Sequence, residues 1–160
     1  MRYRVTSLWL LPLMYLVTVT SVQAQLPSQV LIDGSDPQLI LNIAKGYGSA
    51  TLSRDAVGDP RIEGVIDGNH YQIVFYNCRH GERCDLLLFQ AAWASRYFDL
   101  EMVNRWNREK IYGQLYLDID NDPVVEMPVN LAHGVTRRNL EKSFDYWRIV
   151  LFTLVDEMMR

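Results

Sequence analysis

Residues 71–93 read YQIVFYNCRHGERCDLLLFQAAW, and this stretch decides most of the fold. Two runs rich in apolar and β-branched residues, 71–78 and 84–92, are separated by the polar loop 79–83. Runs of this length around a short polar loop predict a β-hairpin. We therefore take this hairpin as the centre of a sheet and read the rest of the chain outward from it.

The only two cysteines of the chain, Cys78 and Cys84, lie at the ends of the two runs. Residues opposite each other in an antiparallel pair have Cα atoms about 4.5–5.5 Å apart, which a disulfide accepts. We therefore expect a disulfide that fixes the hairpin register and stiffens its loop. Catalytic dithiols usually occur as C-x-x-C at a helix N-terminus, so the spacing here favours a structural role.

Both faces of the hairpin are apolar. Alternation places Val74, Tyr76, Leu86 and Leu88 on the disulfide side, and it places a second set on the other side: Tyr71, Ile73, Phe75, Leu87, Phe89 and Trp93. A sheet covered by helices on one face leaves an apolar patch on the other, and such patches mark partner surfaces. We take the second set as the candidate partner face. The alternative is that the domain's own helices bury these strands on both sides.

Helix and turn signals complete the chain. Asp36-Pro37 predicts the start of a first helix, Asp99 caps a second with Trp106 on its apolar face, and Thr136 caps a third that runs to about residue 160. Further strands are expected at 50–53, 61–66, 114–119 and 124–131. The order is α-β-β-β-β-α-β-β-α, which predicts the α+β class: an antiparallel sheet of about six strands packed by helices.

The first 24 residues have the three-part organisation of a secretory signal peptide. Arg2 and Arg4 precede an apolar run at 8–19, and Val22-Gln23-Ala24 offers a cleavage site. We expect an exported protein, periplasmic if the source is Gram-negative, with a short arm at 25–35 and one domain at 36–160. Without Arg2 and Arg4 the mature chain has 14 Lys and Arg against 19 Asp and Glu, a charge of −5. This disfavours nucleic acid as a partner, and cleavage leaves no membrane anchor.

The sequence offers little catalytic or metal chemistry. Residues 118–122, DIDND, resemble the start of a calcium loop, but Pro123 stands where glycine is needed and Val129 where the bidentate glutamate belongs. The three histidines have no metal-ligand spacing, and the chain has no nucleophile elbow and no phosphate-binding glycine loop. We expect no metal and no cofactor. Paired carboxylates such as Asp118 and Glu126, on a polar face with Tyr116, have the chemistry for acid–base work, but with nineteen acidic residues such pairs arise easily by chance.

One set of motifs is more specific. It comprises Val103-Asn104-Arg105-Trp106-Asn107, Tyr112-Gly113, Tyr116-Leu117-Asp118, Asp122-Pro123 and His133-Gly134-Val135-Thr136. With the cysteine hairpin upstream, it resembles the YbjN-domain family of bacterial proteins over about residues 36–157, in the subgroup with a signal peptide and a cysteine pair.

The resemblance implies an α/β sandwich similar to the type III secretion chaperones and a label of sensory transduction regulator. It transfers no catalytic residues. The signature positions are Asn104, Trp106, Asn107, Tyr116 and Asp118. We expect Trp106 in the core and an Asn107 bond to neighbouring backbone.

The sequence therefore favours an exported, non-enzymatic binding domain, chaperone-like or regulatory, that engages a protein or peptide partner. One alternative is a periplasmic small-molecule sensor or enzyme that uses the polar face near Tyr116, Asp118 and Glu126. A further alternative is a structural homodimer built on the open sheet face.

Overall fold

The computed structural model describes residues 30–94 and 98–158, so the predicted leader and the first residues of the arm lie outside it. Three helices occur in the described residues: α1 (Pro37–Ala44), α2 (Leu100–Glu109) and α3 (Arg137–Met158). Six strands form the main sheet: β2 (Ser49–Arg54), β3 (Pro60–Ile66), β4 (Asn69–Tyr76), β5 (Leu86–Ala92), β6 (Gln114–Leu117) and β7 (Pro123–Asn130). The predicted α+β architecture and its element order are confirmed. Two short strands, β1 (Leu31–Ile32) and β8 (Val135–Thr136), were not predicted.

All neighbours in the sheet are antiparallel, in the spatial order β2-β3-β4-β5-β7-β6. The first four strands form a meander. β7 then pairs with β5, with Gln90 opposite Glu126, and β6 takes the outer position. The helix α2 between β5 and β6 supplies the connection that lets the chain skip one strand position before returning.

Each predicted helix start is capped as expected. The Asp36 carboxylate accepts a hydrogen bond from the Leu39 N–H at 3.1 Å, and Asp99 does the same for Met102 at 2.8 Å. The Thr136 hydroxyl oxygen accepts from the Asn139 N–H at 3.1 Å. These side chains satisfy N–H groups that have no partner within the helix.

The core lies between the helices and one face of the sheet, which we call the inner face. The Phe89 ring meets Phe144 of α3 edge-on at 4.9 Å between centroids and lies 5.7 Å from Trp147. Tyr71 packs against the same Trp147 at 6.4 Å. Trp106 of α2 and the apolar side of α1 belong to the same buried cluster.

The inner face is the set of residues that the sequence offered as a partner face, and that assignment is wrong. Five of the six are buried, and Trp93 is partly buried against the same core: Tyr71, Ile73, Phe75, Leu87, Phe89 and Trp93. The size of the side chains explains which face is buried. The large rings of this set interdigitate with the rings of α3, whereas the smaller side chains of the opposite face cannot fill that space.

The described part of the N-terminal arm belongs to the fold. β1 pairs with β8, and Ile32 is buried in the core. Gly34 then lies so close to Cys84 that a Cβ there would collide with the Cys84 backbone oxygen. Glycine is therefore required at this crossing of the arm and the cystine loop.

The expected disulfide joins Cys78 and Cys84. Between them Arg79 and Glu82 form a two-residue turn with His80 at φ 58° and Gly81 at φ 73°, the left-handed pair typical of tight hairpin turns. The cystine thus closes the base of the turn, as the sequence predicted.

Candidate functional site

The second face of the sheet, which we call the open face, is not covered by the described helices, since these pack on the inner face. Five apolar side chains, which we call the apolar patch, lie on its central strands β4, β5 and β7: Val74, Tyr76, Leu86, Leu88 and Pro128. Leu88 stands opposite both Val74 and Pro128, so three of the five form one lateral row. Tyr76 is 44 % exposed. The hairpin is apolar on both faces, as predicted, but the exposed face is the disulfide side.

A polar row crosses the sheet next to the apolar patch. Strand register aligns one residue from every strand of the main sheet in this row: Thr51, Glu63, Gln72, Gln90, Glu126 and Gln114. Of its members only Glu126 was predicted as a candidate site residue, because the row exists only once the register of the strands is known.

Hydrogen bonds run along the row toward one carboxylate. The Gln72 amide donates to Gln90, and the Gln90 amide donates to the Glu126 Oε1 at 2.5 Å. From the other side the Tyr116 hydroxyl donates to the same oxygen at 2.8 Å. Glu63 is held by the Arg61 guanidinium at 2.9 Å. Gln72, Gln90 and Tyr116 thus form a network whose donors converge on Glu126, while Glu63 is paired separately with Arg61.

Tyr116 is the side chain of this network with a perturbed pKa. Burial, together with the Glu126 carboxylate that accepts its hydrogen bond, raises the pKa of Tyr116 to about 12. Its hydroxyl therefore stays protonated at physiological pH and acts as a hydrogen-bond donor.

The predicted polar face is only partly assembled, because Asp118 has a different role. Its Oδ1 accepts the backbone N–H groups of Asp120 and Asp122, each at 2.9 Å. These bonds organise the turn between β6 and β7. Tyr116 and Glu126 come together as expected, while Asp118 holds a loop.

A depression of about 510 Å³ lies on the open face over β2 to β5. Members of the polar row line it together with side chains beside the row: Thr51, Glu63, Gln72, Gln90, Arg61, Val65 and His70. Two polar atoms in its lining, Arg61 Nε and Gln72 Oε1, are shielded from solvent and have no hydrogen-bond partner in the described residues. Such atoms favour a ligand that brings hydrogen-bonding groups to this surface.

Two signature residues of α2, Trp106 and Asn107, form hydrogen bonds to the backbone at the β6 edge of the sheet. Trp106 is buried and its indole N–H donates to the Gly113 carbonyl at 2.7 Å. Asn107 bonds to both backbone groups of Leu115 in β6, each at 2.9 Å. Both expectations for these residues are confirmed, whereas Asn104 is exposed on the outer side of the helix.

A smaller apolar surface lies on the helical side. Trp106, Tyr112, Ile149 and Val150 line a cavity of about 230 Å³ there, and Ile111 beside them is 90 % exposed. The ring of Tyr112, which lines the cavity, stacks on the Tyr146 ring with 4.1 Å between their centroids. This surface on the helical side is the second candidate docking surface, and we compare it with the open face below.

The described residues contain no group of three or more side chains suited to hold a metal ion. Among the helices of this part of the chain, none has the length and apolar character that crossing a bilayer requires. The histidines are far apart in the sequence, with His70 on β4, His80 in the cystine turn and His133 before β8.

Comparison with known proteins gives a family. No curated protein matches the chain. The family model YbjN, described as "Putative bacterial sensory transduction regulator", matches residues 36–159. That match runs from the N-cap of α1 past the end of α3 and includes the Trp106 and Asn107 contacts described above. The chain therefore belongs to the YbjN family.

Proposed function

We propose that this protein is an exported, non-enzymatic regulatory or chaperone-like domain that binds a protein or peptide partner on the open face of its sheet. The observation that carries the proposal is the apolar patch, of which Tyr76 and Pro128 are exposed and the other three members partly buried, beside the hydrogen-bonded part of the polar row. Apolar side chains supply affinity in such surfaces, and fixed polar groups supply orientation. The family's description as a regulator rather than an enzyme supports the same conclusion.

The open face is a better docking surface than the helical side for two reasons. Its depression has more than twice the volume, about 510 Å³ against about 230 Å³. The helical cavity is also bounded by contacts that already satisfy its polar groups, among them the ion pair between Lys110 and Glu157.

Export is part of the proposal. The leader at 1–24 and the Cys78–Cys84 disulfide both favour an oxidising compartment. Intact-mass measurement of protein recovered from an exporting host tests this directly. We expect an N-terminus at Gln25 and a mass lower by two hydrogens for the cystine. A retained leader with two free thiols contradicts it.

Partner binding is tested with Leu88→Asp, which places a charge in the centre of the apolar patch, and with Ile149→Asp as the matched control on the helical side. Ile149 is 57 % exposed and Leu88 is partly buried on the open face, so circular dichroism first establishes that both variants fold. Oxidised mature protein is cross-linked in an envelope extract and analysed by mass spectrometry. We expect one partner near stoichiometry with the parent and with Ile149→Asp, and its loss with Leu88→Asp. Loss with Ile149→Asp alone moves the site to the helical side and overturns the proposal.

A further inference from the structure

The two edge strands of the main sheet, β6 and β2, differ in whether their outward backbone groups are hydrogen-bonded. At the β6 edge the Asn107 side chain occupies the outward N–H and C=O of Leu115. At the β2 edge no described side chain or backbone group takes the corresponding role for Ala50 or Leu52. The β6 edge is therefore capped at Leu115, whereas at the β2 edge Leu52 is exposed and Ala50, 8 % exposed, has no described hydrogen-bond partner on its outward side; we call the first edge closed and the second open.

The hydrogen-bond pattern of β2 identifies which groups face outward. The Asp55 N–H donates to the Asp59 carbonyl at 2.9 Å, and Pro60, opposite Arg54, has no N–H. Because bonded and non-bonded pairs alternate along an antiparallel ladder, Ser53 and Thr51 bond to β3. The N–H and C=O of Leu52 and Ala50 then point away from the sheet.

The open edge also lacks the features that natural proteins use to block unwanted pairing. Edge strands are usually protected by lysine, proline, a bulge or very short length. β2 is six residues long and pairs with β3 without interruption. Residues 49–53, Ser-Ala-Thr-Leu-Ser, contain neither a charge nor a proline, and the one charge of β2, Arg54 at its end, is bonded to the carbonyls of Gly58 and Gly81. An unprotected edge of this length is suited to pair with another strand.

We propose that β2 pairs antiparallel with β2 of a second copy of this chain, around a two-fold axis that passes through Thr51. The resulting dimer joins two sheets edge to edge into one of twelve strands. This interface lies at the edge of the sheet and differs from a dimer built on the sheet face.

The sequence of β2 is self-complementary in this register. Directly opposed residues of an antiparallel pair lie on the same face, so the axis must pass through a residue and not between two. With the axis at Thr51, Ala50 stands opposite Leu52 of the second copy, and both belong to the inner face. Both also carry outward N–H and C=O groups, so the two symmetric Ala50–Leu52 pairs form four hydrogen bonds.

The same register leaves no like charges opposed. Ser49 stands opposite Ser53 of the second copy, and Thr51 stands opposite itself, a pair that is favourable across strands. Leu52, whose side chain is 37 % exposed, gains apolar cover at the edge. These features favour a second copy over an unrelated strand.

The dimer also extends the open face. Thr51 is the edge member of the polar row, so the axis through it aligns the rows of the two copies into one continuous line. Thr51 and Ser49 also line the depression described above, which reaches the edge at β2. A second copy would therefore add a wall to that depression.

Sedimentation velocity of the mature, oxidised chain over a concentration series tests the proposal. We expect a dimer that dissociates on dilution. Thr51 is exposed, so Thr51→Asp and Thr51→Lys should fold, yet each should be monomeric because like charges then stand opposite each other. An equimolar mixture of these two variants should form the dimer again. The controls Gln114→Asp and Gln114→Lys, on the closed edge, should keep the parent's behaviour.

Cysteine cross-linking tests the register. Thr51→Cys should form an intermolecular disulfide readily, since the opposed Cα atoms of a non-hydrogen-bonded pair lie about 4.5 Å apart. Ser53→Cys should not, because Ser49 is its opposite residue. A parent chain that stays monomeric at every concentration overturns the proposal. So does a dimer that survives both Thr51 variants, or amides of β2 that become protected only when an extended peptide is added.

Discussion

The side chain of Asn107 forms both hydrogen bonds that a neighbouring strand would form with Leu115. Its amide N–H donates to the Leu115 carbonyl at 2.9 Å, and its Oδ1 accepts the Leu115 N–H at 2.9 Å. One residue of α2 thus takes the place of a seventh strand at the β6 edge. The neighbouring Trp106 fixes the helix by its own bond to Gly113.

Asn107→Ala should lower the free energy of unfolding by about 1–3 kcal/mol, since it removes two hydrogen bonds of ordinary strength. Urea unfolding followed by tryptophan fluorescence measures the change. Asn104→Ala is the control, because Asn104 is exposed on the same helix and should change stability by less than about 0.5 kcal/mol. Equal losses in the two variants would show that the Asn107 bonds add nothing.

Phe89 and Leu88 are adjacent in the chain and lie on opposite faces of β5, so they test the assignment of the faces. Phe89→Ala should cost about 3–5 kcal/mol, because it removes a buried ring that packs on Phe144. Leu88→Ala should cost distinctly less, since that side chain is only partly buried. Denaturant unfolding of both variants checks this, and the reverse order of the two losses would contradict the assignment.

The disulfide closes a loop with a sequence separation of six residues. Chain-entropy estimates for so short a loop give about 2 kcal/mol. The double variant Cys78→Ala and Cys84→Ala should therefore remain folded and lose about that amount in urea unfolding. Parent protein treated with a reductant should show the same loss. Complete unfolding of either form would mean that the cystine carries much more of the fold than its loop length allows.

Tyr116 should lose its proton at a higher pH than an ordinary tyrosine. Its pKa is about 12 in the folded protein against an ordinary value of 10.0. A folded pKa above the unfolded one stabilises the native state fully below pH 10, and this contribution is lost as the pH rises from 10 to about 12. Tyrosinate absorbance during alkaline titration, compared with Tyr116→Phe, isolates this step from the other tyrosines.

The variant Glu126→Gln tests whether the Glu126 carboxylate contributes to the raised pKa of Tyr116, and Glu63→Gln is its control. Glu126→Gln removes the carboxylate beside the hydroxyl and should lower the pKa of Tyr116 part of the way toward its ordinary value, because burial, the larger cause of the raised pKa, remains. Glu63 lies in the same polar row but does not touch Tyr116, so Glu63→Gln should leave that titration step in place. If both variants shift the step equally, the Tyr116–Glu126 bond is not its cause.

Local signals predicted the elements of this fold, because caps and turns act over a few residues. Asp36, Asp99 and Thr136 each begin a helix as expected. The burial of the hairpin faces could not be predicted in this way. Alternation shows that two faces exist, while the choice between them depends on Phe144 and Trp147, which lie more than fifty residues downstream of Phe89.

The candidate site was predicted only where its residues are close together in the sequence. Tyr116 and Glu126 lie on neighbouring strands joined by a short turn, so their proximity follows from the sequence. Gln72 and Gln90 join them only through the pairing of β4, β5 and β7. That pairing places β7 between β5 and β6, and no local signal in the chain reports it.

The position of α3 downstream of every strand of the main sheet has a consequence for biosynthesis. During synthesis the strands emerge first, and the large rings of Tyr71, Phe75 and Phe89 stay uncovered until residues 137–158 follow. A nascent sheet with an uncovered apolar face and an unprotected β2 edge is prone to aggregate. Truncation before α3 should therefore yield insoluble protein, because α3 is the helix that covers the rings of the inner face.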